Sequence, residues 1–200
     1  MSGRGLEEAV RRVTRVLAWA SGAIILAGCG LLITVDVVTR AIFRRGMVES
    51  FELSGYALAV AIGLGAAWTV TSKGNIRVDI LLERLPTALR RGLDLVAALA
   101  FAIVAAALAW FAFGTLAYSW SIDARSVATL RTPLWLPQAL WWAGLAWLAI
   151  VALLTPILAL RALVARDAAS FDRLIGPTRV EEEIAEAGTP LPKPANDRAP

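Results

Sequence analysis

The sequence predicts an all-α membrane protein of four transmembrane helices, with a short amphipathic interfacial helix between helices two and three. Three observations predict it. Of the 200 residues, 58% are apolar and only 18% are charged, whereas an ordinary soluble domain has about 45–50% apolar and about 25% charged residues. The charges are also unevenly placed. No Asp, Glu, Lys or Arg lies between Arg15 and Asp36, Glu52 and Lys73, Asp94 and Asp123, or Arg131 and Arg161, leaving gaps of 20, 20, 28 and 29 residues. About 20 apolar residues at 1.5 Å rise cross a ~30 Å hydrocarbon core, so each gap is long enough to span. Finally, turn signals separate the gaps.

The first helix is expected from about Glu7 to Ala41, with a basic amphipathic start and a span over 16–35. Gly46 breaks it, and Glu49 or Ser50 opens the second helix, which spans 53–72 and stops at Lys73-Gly74-Asn75. The stretch from Ile76 to Leu85 mixes apolar and charged residues and is too short and too charged to span. It reads as an interfacial helix. Pro86 suits the start of the third helix, whose span covers 95–120. Arg131-Thr132-Pro133 and Pro137 bracket the entry to the fourth, spanning 137–160. One integral membrane domain thus occupies 1–165. Residues 166–200 form a tail, expected to be disordered from about 177, where five prolines and Glu181-Glu182-Glu183 accumulate.

The basic residues orient the chain. The N-terminal segment, second loop and tail hold fifteen Lys and Arg, and the first and third loops hold five. With the tail omitted the split is nine to five. Short cytoplasmic segments accumulate Lys and Arg, so both termini and the second loop are expected in the cytoplasm. The net charge of +4 is accounted for by topology, without a nucleic-acid partner. Tyr118, Trp120, Trp135, Trp141 and Trp142 cluster where the third span ends and the fourth begins, the headgroup level that amphipathic rings prefer.

Composition also bears on chemistry. With no His and one Cys, a Ser-His-Asp or Cys-His arrangement, the usual His/Cys zinc site and an intrachain disulfide are all excluded. No cofactor is expected. The spans carry no charged residue, whereas proton relays and ion paths commonly rely on one; backbone carbonyls remain available to ions. Asp36 and Arg40, four apart, share a helix face and can pair. Glu49 and Glu52 suit a helix start, where a negative charge complements the helix dipole; the sequence leaves open whether they are solvated dipole-capping residues or whether Glu52 contacts Arg40 between helices. Gly55, Ala59, Gly63 and Ala67 form a stripe at four-residue spacing on the second helix, which permits close packing either within the bundle or onto another membrane subunit. Ala98, Ala102 and Ala106 do the same on the third.

Leu26-Ala27-Gly28-Cys29 has the form of a lipoprotein cleavage box behind a basic start. Gly30-Leu31-Leu32-Ile33-Thr34-Val35 then completes a full span, longer than a signal h-region of 7–15 residues. Cys29 is therefore expected to stay uncleaved within the membrane. Arg11-Arg12 as a twin-arginine signal is weaker still.

Motifs from Asp36 to Pro86 carry a family resemblance. Val37-Val38-Thr39-Arg40-Ala41-Ile42-Phe43 closes helix one and Glu52-Leu53-Ser54-Gly55-Tyr56 opens helix two. Gly63-Leu64-Gly65-Ala66-Ala67, Gly74-Asn75-Ile76-Arg77-Val78-Asp79-Ile80-Leu81 and Leu85-Pro86 follow. These resemble the small permease subunit of tripartite ATP-independent periplasmic (TRAP) transporters, the DctQ-like family. The four-helix pattern extends the match over about 10–165. Asn75 departs from the pattern, since many members have His there.

The resemblance implies structural roles for Arg40, Glu52, Asn75, Arg77, Val78 and Asp79. It also implies a multi-pass scaffold subunit of the bacterial inner membrane, without enzymatic activity. Its partners would be a large TRAP membrane subunit carrying sodium sites and the substrate path, a periplasmic substrate-binding protein delivering an organic anion such as a carboxylate, and the lipid bilayer. A free-standing small four-helix transporter or channel is the alternative. A membrane-embedded enzyme is disfavoured, because the loops offer no convergent nucleophile and base.

Overall fold

The computed structural model describes residues 3–44, 49–73, 85–128 and 130–176. The first helix is continuous, built from α1 (Gly3–Ala23), a π-helical stretch (Ile24–Leu31) and α2 (Leu32–Phe43). Then follow α3 (Ser50–Thr71), α4 (Thr87–Ser121), α5 (Trp135–Val164) and the short α6 (Ala168–Ile175). Among the described residues four helices are long and apolar enough to cross a membrane, running Gly5–Phe43, Ser50–Thr71, Thr87–Ser121 and Trp135–Val164. The chain is a multi-pass membrane protein. The interfacial helix expected over Ile76–Leu85 lies, but for Leu85, outside the described residues, as does the tail from 177.

Helix boundaries follow local chemistry. Pro86 caps α4 from outside the helix, and Pro137 sits in the first turn of α5, where a missing N–H costs nothing. Pro156 lies inside α5, is buried, and deprives the Ala152 carbonyl of its helical donor. Arg44, Lys73, Asp123 and Arg166 follow the ends of α2 to α5 in the left-handed conformation, at φ 51°, 56°, 48° and 57°. Left-handed residues commonly close helices, although glycine is the usual choice.

The second and fourth spans form the centre. α5 packs on α3 along one side and on α4 along the other, while α1 and the π-helical stretch pack on α3. In the most apolar stretch of each span the buried share is 44% in the fourth, 22% in the second, 17% in the third and 6% in the first. Alanine dominates the core: Ala67, Ala102, Ala105, Ala112 and Ala152 are buried beside Leu145, Leu148 and Val151. Small side chains let helices approach closely, and inside lipid that contact is what holds them together.

Indoles tie the fourth span to its neighbours. Trp142 Nε1 donates to the Ala109 carbonyl of α4 at 3.2 Å, and Trp147 Nε1 donates to Thr14 Oγ1 of α1 at 3.0 Å. Trp120 and Trp135 meet edge to face, centroids 4.7 Å apart, where the third span hands over to the fourth.

Candidate functional site

The small-residue stripe of α3 divides into two halves. Ala67 is fully buried and belongs to the bundle core. Gly63 is buried against α5, where a Cβ would stand 2.8 Å from the Trp141 carbonyl oxygen and 3.1 Å from Trp141 Cδ1. Gly144 faces it, and a Cβ there would overlap the Gly63 backbone. The two glycines therefore bring the second and fourth spans into backbone contact. Ala59 is half-buried, and Gly55 is exposed with open space where its Cβ would be. Phe51, Leu58 and Ile62 are exposed beside Gly55, 92%, 47% and 59% accessible. Positions 51, 55, 58 and 62 share one helical face. The N-terminal half of α3 thus carries an uncovered apolar stripe.

Polar groups join the helices at both ends of the bundle. At the Asp36 end, Arg40 Nε and Ser50 Oγ each donate to Asp36 Oδ2 at 2.7 Å. Asp36 is 5% accessible, and its Oδ1 is buried with no hydrogen-bond partner among the described residues. Ser50 opens α3, so Asp36 fastens the end of the first helix to the start of the second. The Asp36–Arg40 pairing is the one expected from their spacing. Arg40 pairs with Asp36 rather than with Glu52, so of the two readings the sequence left open the inter-helix Arg40–Glu52 contact is not made. One helical turn already supplies Arg40 with a carboxylate, and Glu52 is engaged elsewhere. Tyr56 OH donates to Glu52 Oε1 at 2.7 Å, and Ser126 and Thr132 of the loop before α5 face the same carboxylate. That loop folds back on itself, with Ser126 N donating to the Thr132 carbonyl and Leu134 N to the Ala124 carbonyl, both at 2.9 Å. Glu52 thus faces the link between the third and fourth helices, with its Oε2 buried and without a hydrogen-bond partner among the described residues.

At the opposite end, α6 docks beneath the bundle. Its N-cap Asp167 accepts from Ser170 N at 3.0 Å. Phe171 and Ile175, one turn apart, are 0% and 1% accessible and pack on Ala159 and Ala162 of α5, with Leu95 and Ala98 of α4 alongside. Arg91 Nη2 meets Asp172 Oδ2 at 3.2 Å, and its guanidinium lies 5.8 Å from the centroid of the Phe171 ring. Lys73 Nζ donates to the Asp172 carbonyl at 2.9 Å. Three separate segments, the ends of α3, α4 and α5, are thereby joined through one short helix. The sequence carried a signal for it in Asp167-x-x-Ser170 followed by apolar residues one turn apart.

The first and second helices are joined mid-span as well. Ser21 Oγ donates to the Ala61 carbonyl at 2.7 Å, and Cys29 Sγ to the Ser54 carbonyl at 3.4 Å. Hydropathy alone does not mark either residue, because a Ser or Cys in an apolar span gives no periodic signal. Of the motif residues, Asn75, Arg77, Val78 and Asp79 lie outside the described residues. Among the described residues no group of three or more His, Cys, Asp or Glu comes together to hold a metal.

The arrangement is that of a helical bundle joined at both ends and along its centre by side-chain contacts between helices. No curated protein and no solved structure matches the chain. The family model described as "Tripartite ATP-independent periplasmic transporters, DctQ component" matches residues 29–162, more than half of the chain and all of α3, α4 and the apolar length of α5. That family comprises transporter components rather than enzymes. The chain belongs to the DctQ family and is the small membrane subunit of a TRAP transporter.

Proposed function

We propose that the chain is the fixed membrane scaffold of a sodium-coupled importer of an organic anion, a carboxylate. A periplasmic binding protein delivers the substrate, and a large membrane subunit carries it across the bacterial inner membrane. Both termini of the scaffold lie in the cytoplasm. The observation that supports a scaffold best is the backbone contact between Gly63 and Gly144. A substrate path through the middle of this bundle would have to part the second and fourth spans where they are closest. A free-standing channel is disfavoured on the same ground. The uncovered stripe of Phe51, Gly55, Leu58 and Ile62 supports contact with the large subunit.

Reconstitution tests the reading. Proteoliposomes holding the large subunit and this chain should take up a labelled carboxylate only with the binding protein outside and an inward sodium gradient. Uptake by vesicles containing this chain alone would overturn it. So would full uptake by the large subunit and binding protein without this chain.

A further inference from the structure

We propose that the end of the bundle carrying Arg40 and the link between α4 and α5 is a docking surface for the soluble binding protein. Arg40 holds a carboxylate of that partner, and Val127 enters an apolar hollow on it. This surface deepens the transporter reading and rests on it, together with the orientation drawn from the basic residues.

Arg40 is exposed but fixed. Its Nε donates to Asp36 Oδ2 at 2.7 Å, and Ser50 Oγ donates to the same oxygen from α3 at 2.7 Å. Asp36 is 5% accessible, whereas the Arg40 side chain is 61% accessible. A buried carboxylate thus orients an exposed guanidinium through one of its five N–H groups. The four N–H groups on Nη1 and Nη2 make no hydrogen bond among the described residues. A planar fork of this kind matches a carboxylate with two parallel hydrogen bonds. Holding it in place beforehand lowers the entropy lost on binding.

The link between α4 and α5 is folded in the same manner. Arg125 and Pro133 pair across it as an antiparallel bridge. Beyond that bridge, Ala128 N donates to Ser126 Oγ at 3.1 Å and Arg131 N to the Ala128 carbonyl at 3.0 Å. Val127 stands at the tip fully exposed, and Leu130 is 48% accessible. Asp123, Arg125 and Arg131 flank them, all exposed. Lipid does not account for this apolar tip, because an irregular loop does not enter hydrocarbon. Flanking charges of both signs also complement a protein surface better than a uniformly anionic one. An apolar contact within a polar rim is the anatomy of a protein interface. Both features lie by the first turn of α3, where Ser50 meets Asp36 and Glu52 faces Ser126 and Thr132. The patch is small, which suits a carrier that docks and leaves.

The test is binding of the purified binding protein to the complete complex of both membrane subunits in lipid nanodiscs, measured by biolayer interferometry at low and high salt. Arg40→Gln should weaken binding about ten-fold at low salt and reduce its salt dependence. Arg40→Lys keeps the charge but not the fork, and should restore the salt dependence without the full affinity. Val127→Asp alters a side chain that packs on nothing in the bundle, and should also weaken binding about ten-fold. Arg173→Gln, at the opposite end, should bind as the unaltered complex does. Retention of the large subunit should be the same in all four variants, which separates docking from folding. Wild-type binding by Arg40→Gln or by Val127→Asp would overturn the proposal and leave the transporter reading standing. Equal binding to nanodiscs of lipid alone would assign the contact to the membrane and overturn it as well. No binding to the unaltered complex would overturn both the docking surface and the reading on which it rests.

Discussion

Gly63 and Gly144 show how much of the bundle depends on the absence of two side chains. A methyl group on Gly144 would occupy the Gly63 backbone, so α3 and α5 would have to move apart. Overpacking of this kind costs ~1–3 kcal/mol. Gly144→Ala and Gly63→Leu should therefore lower the thermal unfolding temperature of the purified chain in detergent. Gly55 occupies the same stripe but has open space around it. Gly55→Leu should leave unfolding unchanged and weaken co-purification with the large subunit, by roughly 5- to 150-fold if the contact there is as tight. Wild-type co-purification with Gly55→Leu would place the subunit interface elsewhere. Cys29 is a second residue whose role depends on its surroundings. Its thiol turns onto the Ser54 carbonyl in a helix that continues for many residues on either side. Intact mass of the purified chain should show the residues before Cys29 still attached. A lipid-modified form beginning at Cys29 would contradict this.

Elements differ in how their stability is supplied. The four spans are long and packed lengthwise, but α6 has eight residues. An isolated helix of that length is not stable in water, so tertiary contacts hold it. Phe171 is its anchor, fully buried against Ala159 and Ala162 with the Arg91 guanidinium beside its ring. Truncating a buried Phe to Ala costs about 3–5 kcal/mol. That exceeds what the Asp167 cap contributes, about 1 kcal/mol. Phe171→Ala should detach α6 and leave the spans intact. Hydrogen exchange of amides 168–175 should accelerate by on the order of 10²-fold or more, with the protection of α5 up to Ala159 unchanged. Unaltered protection of 168–175 would show that the Asp172 contacts with Arg91 and Lys73 suffice. The π-helical stretch Ile24–Leu31 is another element with its own character, in the first span, where burial is least. Wide helical turns commonly interrupt α-helices at sites under local constraint, and here the stretch ends between the Cys29 link to α3 and the Thr34 hydroxyl, which donates to the Gly30 carbonyl at 2.7 Å.

On the scale of the whole molecule, the spans were legible because charge is excluded from hydrocarbon at a cost no short sequence can hide. Each of the four charge-free gaps matches one long helix, overrunning it by three residues at most, and Asp36, Glu52 and Asp94 lie towards the helix ends. The order in space was not legible. The first span has mean hydropathy 2.2 and the fourth 2.3, yet the fourth is the hub and the first lies at the edge. Lipid and protein interior are equally apolar, so hydropathy does not distinguish a helix facing one from a helix facing the other. Small residues carry that information, and Gly63, Gly144 and the core alanines carried it in part. The polar links were half legible. Asp36–Arg40 and Glu52–Tyr56 each follow from a four-residue spacing on one helix, but the contact of Ser50 with Asp36 depends on where separate helices meet. Which end of this bundle faces the cytoplasm rests on the basic residues, fifteen against five, and the expectation is open to direct test. The native Cys is single, so a Cys29→Ser background permits labelling at one chosen site at a time. Arg44→Cys and Ala128→Cys should react with a membrane-impermeant maleimide in intact cells. Arg84→Cys and Arg173→Cys should react only after the membrane is opened. Because α6 joins the ends of α3, α4 and α5, Arg84 and Arg173 must label from the same side. Labelling of both in intact cells would invert the whole bundle, and labelling of one alone would break the four-span topology itself.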